Sequence, residues 1–457
     1  MRKLLVSLAF LACNPSGALK IGGDTGLPET QTGPDADADS DSDSDSDTDA
    51  DTDSDADSDS DSDTDSDSDS DTDTEPPPEV NPPPPPDHTV DCNGGEDFTS
   101  IQDAIDAATS GDIIALQPCV YHERLDLNAK SLEIYGIEGS AVTILDADGG
   151  GTAIDVELGE GLGMRIAGLT VIDGNDSEGA SGIEVADSVL ELQDVVFRDN
   201  GVGHVISAFT GFVDLIDVTI ENNDVDGYNY AVYSEGGGLS VLRSTIDCDS
   251  GAAAVYHHNF LLLSDSTISC DSGYGVDGYH GEDHIRRSTI EGGIAGIYLH
   301  DTESTEEEPD FPSERAWIYN SAVAGGDVGI DIRYMDAKIW NVVATGGTSA
   351  ISFTACNDTS EVRNTALVGA ACGITNTDTA GLSVDYVASW QNTEHGCGVT
   401  FTPEITTDPE FVSWPDDLHL QPGSPFIDAG TPAANNNDAD GSRNDMGIYG
   451  GPLPSTL

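Results

Sequence analysis

The side chains best suited to chemistry fall at a repeating interval. Tyr233, Tyr256, Asp277, Tyr298 and Asp331 form one series, and Glu235, His258, Tyr279, His300 and Arg333 form a second, each two residues further on. His280 and Asp301 adjoin the second series. Aromatic faces suit stacking on sugars, while carboxylates and imidazoles supply acids, bases and metal ligands. Glu235, His258, Asp277, Tyr279, His300, Asp301 and Arg333 are therefore the candidate catalytic groups. Tyr233, Tyr256, Tyr298, His280 and Asp331 are candidate substrate contacts. The same positions in neighbouring repeats are plain, with Ser207, Ser352 and Thr354. An acidic insertion, Glu303 to Glu314, follows His300-Asp301 directly, where a groove wall would stand. The competing reading is that these are ordinary outward residues of a soluble sheet, since aromatic residues favour strands.

Two metal readings arise. His257, His258, His280, His284 and His300 are five of the ten histidines within 44 residues, without diagnostic spacing for a transition metal. Asp438, Asp440 and Asp445 around Gly441 look like an oxygen-rich calcium loop, but no Glu follows at EF-hand spacing, and a capping turn fits equally. No motif requires a cofactor; calcium is the one ion the acidic groups suggest. A phosphate-binding Gly-rich loop and a Gly-x-Ser-x-Gly elbow are both missing from the sequence.

The elements that position these groups must repeat as they do. A β-branched or apolar position after a small residue recurs at Ile154, Ile183, Ile206, Val232, Val255, Val276, Ile297, Ile330, Ile351, Ile374 and Val399. A second apolar series runs through Val171, Phe197, Ile220, Ile246, Ile268, Ile290 and Val323, three times as Ser-Thr-Ile. Short β-prone runs alternate with Gly/Asn/Asp turns and no helix recurs. A parallel β-helix fits, with about eleven coils stacked ~4.8 Å apart into a rod of about 50 Å. In that register Asp217, Arg243, Asp265 and Arg287 form an outward column of alternating charge, by strand alternation. Cys248 stacks on Cys270, and Cys372-Gly373-Ile374 stacks on Cys397-Gly398-Val399, within reach of disulfides. Cys92–Cys119 is a third expected pair, which leaves Cys356. Thr99 to Ala108 places Ile101, Ala104, Ile105 and Ala108 on one helical face with Ser100 as N-cap, a short helix closing the N-terminal end. Residues 412–457 are expected to cap the other end.

The flanking chain is of another kind. Met1-Arg2-Lys3 and the apolar run Leu4 to Ala12 read as an export signal, too short to span a bilayer. Phe10-Leu11-Ala12-Cys13 resembles a bacterial lipoprotein box, which makes 1–12 the signal and Cys13 the lipidated residue; cleavage after Ser16-Gly17-Ala18 is the alternative. From 35 to 74 Asp alternates with Ser, Thr or Ala, 20 Asp in 40 residues, and Pro-rich chain follows. Residues 13–88 are thus expected to be a disordered acidic stalk, 89–411 the β-helix. Without those 20 aspartates the formal charge of −71 is still −51. That excludes nucleic acid and anionic membranes as partners and disfavours metal-free polyuronate binding. A monomer, secreted or held at the surface through its lipid alone, is expected.

The segments Asp97–Ala108, Gly111–Ile114 and Tyr121–Leu125 resemble the opening of pectin-lyase-like right-handed β-helix proteins. Leu418–Gly430 with Asp438–Gly441 resembles the C-terminal end of bacterial surface β-helix proteins of the "choice-of-anchor" type. The resemblance covers about 92–450 and implies the fold. The family it implies holds polysaccharide lyases, pectin esterases, galacturonases, alginate epimerases and proteins of unknown role. Tyr274-Gly275-Val276-Asp277 with His280 resembles part of the alginate epimerase motif, but Gly278-Tyr279 replace its Pro and Gly281 its last acid. The calcium carboxylates and facing base of a pectate lyase could be drawn from Asp277, Asp301, Asp331 and Arg333. Three functions stand: a surface polysaccharide-binding protein first; a polysaccharide-active enzyme, lyase before hydrolase or epimerase; and an inert rod.

Overall fold

A computed structural model describes residues 85–157, 164–177, 179–225, 227–301, 315–356, 359–377 and 381–452. The export signal, Cys13, the stalk to 84 and the acidic insertion Glu303 to Glu314 lie outside the described residues. The described chain is a parallel β-helix of about twelve turns. Each turn contributes to three columns of parallel strands. One passes through Ala180–Ala186, His204–Phe209, Tyr230–Glu235 and Ala295–His300. The next passes through Phe212–Ile216, Gly238–Leu242 and Arg315–Tyr319, and the third through Thr245–Cys248, Thr267–Cys270 and Thr289–Gly292. The extra turn over the expected eleven comes from Leu125, which stacks on Ile154 but lacks the preceding small residue that marks the others.

Both apolar series form inward columns. Ile206, Val232, Val255, Val276, Ile297 and Ile330 pair successively, as do Phe197, Ile220, Ile246, Ile268, Ile290 and Val323. All are buried, each worth about 1.5–3 kcal/mol against exposure. The apolar series is lost at the last coil, where Gly396, not Val399, stands beside Ile374. Glycine at 396 and 398 lets the chain turn out early; Gly398 has φ +77°. Cys397 therefore pairs with Thr375 in the ladder, and its bond to Cys372 runs diagonally.

The recurrent Ser of Ser-Thr-Ile has a structural cause. Ser244, Ser266, Ser288 and Ser321 form a buried ladder, in which the hydroxyls of Ser266, Ser288 and Ser321 each accept the backbone N–H of the serine one turn earlier and that of Ser244 accepts Val218 N–H. Those same hydroxyls donate to a carbonyl two residues back. The charged column also exists: Arg243 pairs with Asp217 at 2.8 Å and Arg287 with Asp265 at 2.6 Å. Its origin differs from strand alternation, because all four residues sit at a corner with φ between 46° and 55°. Left-handed geometry is natural for Asp and Asn, but not for Arg.

Among the described residues three disulfides form, Cys92–Cys119, Cys248–Cys270 and Cys372–Cys397. Cys356 stays outside them, buried, its thiol directed at the carbonyls of Ile332 and Thr354. The N-terminal helix spans Ile101–Ala107, with Ser100 Oγ accepting from Asp103 N. Glu123, unforeseen from sequence, adds a second cap by accepting from Ile101 N and Gln102 N. Residues 409–451 lie along the flank of the last coils. Phe411, Leu418, Phe426, Met446 and Ile448 pack on Val343, Ala366, Val368 and Ala388. A corner ladder of Asn320, Asn341 and Asn364 binds this tail through side-chain amides.

Candidate functional site

The first strand column carries the candidate groups because of one irregularity in its pleat. The small residue before each apolar position is itself buried: Ala231, Ala254, Gly275, Gly296 and Gly329. Two consecutive residues thus face inward, and the residue before them turns outward. A Cβ on Gly275 would lie 2.6 Å from Gly296 O, and one on Gly296 2.6 Å from Ala324 O, so these positions accept little more than hydrogen. Strict alternation would have hidden Tyr230 and Tyr274 inside. The pleat brings both onto the outer face, where sequence reasoning missed them.

The result is a ridge of rings. Tyr233 stacks on Tyr256 at 5.1 Å and on His204 at 4.8 Å, and Tyr230 lies 4.9 Å from Tyr256. Further along, Tyr274 stacks on Tyr298 at 5.0 Å, Tyr298 on His300 at 4.5 Å, and Tyr279 lies 4.9 Å from His300 and 5.1 Å from His258. Asp277 separates the two groups, between Tyr256 and Tyr298 in the ladder. His204 and Phe209 also join the ridge, the latter 5.5 Å from Tyr233.

The charged groups pair locally. His300 Nε2 lies 3.5 Å from Asp277 Oδ1, His280 pairs with Asp301, and Arg333 donates to Asp331 at 2.7 Å while its guanidinium lies 5.0 Å from the Tyr298 ring. Tyr233 donates to Glu235 at 2.5 Å. Two oxygens stand out. Asp277 Oδ1 and Asp331 Oδ1 are shielded from solvent and, among the described residues, accept no hydrogen bond. Such acceptors cost about 1–3 kcal/mol unless a donor arrives. Asp277, Asp301, Asp331, His258, His280, His300, Tyr279 and Arg333 are thus brought together; Glu235 belongs to the Tyr233 end.

Burial raises the phenols of Tyr230, Tyr233, Tyr274 and Tyr298, and pushes Tyr256 up to about 12, Asp277 adding to the last. These phenols stay protonated and serve as donors. Burial lowers His258, helped by His280, so it is neutral at pH 7. Arg333 is raised by its bond to Asp331.

Of the histidine group, His284 lies apart, stacked on Trp317 at 4.6 Å, and His257 is buried in the core. Asp438, Asp440 and Asp445 lie near enough for Asp438 and Asp440 both to push Asp445 up, but their ligand atoms do not all gather within 4.8 Å of one another. Asp438 accepts from Asp445 N and Gly451 N, Asp440 from Ser442 N, and Asp445 from Asp428 N. They hold the tail's turns. Among the described residues, the group whose ligand atoms gather closely enough for an ion is His122, Asp146 and Asp148, within 4.8 Å of one another. His122 is already in contact with both carboxylates, at 3.3 and 3.1 Å.

No family model and no curated protein sequence matches the chain. Solved structures do. The complex structure of XylC with xylose is 8% identical over 81% of this chain and 98% of that one, with a TM-score of 0.50. The Streptococcus pneumoniae surface protein and adhesin PfbA is 12% identical over 67% and 95%, with a TM-score of 0.41. Pectate lyase Pel9A is 11% identical over 79% and 95%, with a TM-score of 0.32. At such identities the likeness is one of fold, that of the parallel β-helix. Among the described residues no helix is long and apolar enough to cross a membrane, and three disulfides fit an extracellular protein.

Proposed function

We propose that this is an exported, surface-held protein that binds an extracellular polysaccharide of neutral sugars along the ridge from His204 to Arg333. The carrying observation is the ridge itself. Stacked rings from successive coils offer apolar faces, and the buried oxygens of Asp277 and Asp331 lack the donors that sugar hydroxyls supply. A formal charge of −51 beyond the stalk repels anionic chains. Lipidation at Cys13 with the acidic stretch as spacer is the proposed tether.

Hydrolysis is the second reading. Asp277 and Asp331 lie two strand spacings apart, about 9.5 Å, near the upper end for a pair of carboxyl groups admitting a water. Arg333 is paired with Asp331, so a lyase would draw its base from the neutral imidazole of His258 instead.

Retention of the full chain on immobilised neutral and acidic polysaccharides, with product assays for reducing ends and unsaturated ends, tests both. Binding of a neutral chain, weakened about tenfold in Tyr256→Ala and Tyr298→Ala, is expected. Product lost in Asp277→Asn would move the assignment to an enzyme. Equal retention by wild type and both Tyr variants would overturn the ridge as the site.

A further inference from the structure

The C-terminal tail does more than cover the flank. Between it and the third strand column lies a cleft of about 240 Å³. Its floor is the outer face of Thr289–Gly292, Ala322–Gly325 and Val343–Gly346, where Ala322, Ala324 and Thr345 are small. Trp414, Pro415 and Tyr449 wall it, and Thr289, Thr345, Glu291 and Asp416 bring polar atoms to it. Among the described residues, no hydrogen bond or ion pair engages these last four side chains.

We propose that this cleft is a second carbohydrate site, shaped for a single neutral sugar residue at a chain end. Three features narrow the occupant. The volume falls below the ~300 Å³ at which sites for larger ligands begin, which favours one enclosed ring over a run of rings. Trp414 is 37% exposed, although its ring is packed 5.6 Å from Phe411 on one side; an indole so held is a rigid platform for the C–H face of a sugar. Two carboxylates and two threonine hydroxyls can accept and donate to ring hydroxyls, and no Lys, Arg or His lines the cleft to hold a uronate. The tail is anchored independently of any ligand by Asn320, Asn341 and Asn364, so the wall is preformed. The cleft occupies a different column from the ridge, so one molecule would hold an internal stretch of one chain and the end of another.

The test uses the full chain and a set of neutral monosaccharides, read by saturation-transfer NMR and by tryptophan emission. Three variants are compared: Trp414→Ala, Ala324→Phe, which fills the floor from its outward face, and Tyr256→Ala on the ridge. Circular dichroism and melting check that each folds. A neutral monosaccharide that binds wild type and Tyr256→Ala equally, and at least tenfold more weakly in both cleft variants, is the expected result. Binding lost in Tyr256→Ala but kept in the cleft variants would place the sugar on the ridge and overturn the proposal. So would selective binding of amino sugars, or no saturable binding by any neutral sugar. Failure of the ridge in the polysaccharide assay leaves this outcome unaffected.

Discussion

Within a core built from aliphatic residues, His257 and Asp283 face each other on adjacent coils. Both side chains are 1% exposed, and His257 Nε2 lies 3.2 Å from Asp283 Oδ1, though out of line for a hydrogen bond. Their ladder neighbours are apolar or small: Leu261 and Ala316 beside Asp283, Ser234 and Gly278 beside His257. Burial drives the His257 pKa down to about 3, with His258 and His300 adding to it. The pair should therefore be worth little as a pair but cost much when broken. His257→Leu takes the imidazole away from the buried Asp283 carboxyl and should destabilise by about 3–5 kcal/mol. Asp283→Leu strands an imidazole that is already neutral, so its cost is about 1–3 kcal/mol. The double variant removes both buried polar groups at once and should recover most of the loss of either single variant. Guanidinium unfolding followed by circular dichroism would give all four stabilities, provided the slope stays constant. Additive losses in the double variant would refute the reasoning. The acid side is a second check. A folded-state pKa below the unfolded value means that the contribution of His257 is complete above pH 6.5 and falls as pH drops toward 3.

Other outcomes follow from the same geometry. Cys248–Cys270 closes a 22-residue separation, so replacing both with Ala should lower stability by about 3 kcal/mol on the chain-entropy account, read by thermal unfolding at fixed protein concentration. Burial, joined by Asp438 and Asp428, raises Asp445 to about 6. Its contribution is present below pH 3.8 and lost as pH rises through 6, so hydrogen exchange across 426–451 should accelerate over that interval. Asn341 Nδ2 donates to Asn444, Asp445 and Gly447; Asn341→Leu should free the tail, raising exchange there while the coils before 300 stay protected. A Cβ on Gly278 would meet His257 Nε2 at 2.3 Å, so Gly278→Ala should destabilise by about 1–3 kcal/mol in an unfolding titration.

Much of the fold was legible because stacking makes every coil obey the same constraint. A position that must be β-branched once must be so at each rise, and a period of small-then-apolar residues survives in the sequence. Cys248–Cys270 was legible for the same reason, whereas Cys372–Cys397 forms although the register expected for it is not kept. Three things were not. The last coil departs from the repeat, and Gly396 and Gly398 carry no apolar mark to align. The corner residues were assigned to strands because Arg243 and Arg287 hide a left-handed turn that Asp217 and Asp265 would suggest. The role of Asp438, Asp440 and Asp445 was obscured because carboxylates bound to backbone amides look, in sequence, like carboxylates awaiting a cation.

The site shows why a periodic reading finds only part of a surface. Alternation correctly placed Tyr233, Tyr256, Asp277 and Tyr298 outside, since they follow the apolar position. It failed for Tyr230 and Tyr274, which precede it, because two small-plus-apolar neighbours both face inward there. That local doubling is itself imposed by the glycines and alanines that let one coil sit close on the next. The packing demand that makes the rod thus also doubles the width of the aromatic ridge. Replacing Gly275 with Val should accordingly do two things at once: open the coil contact at Gly296 O, lowering the melting temperature, and turn Tyr274 off Tyr298, lowering polysaccharide retention. A stable Gly275→Val protein that kept full retention would break the link between the small residues and the ridge.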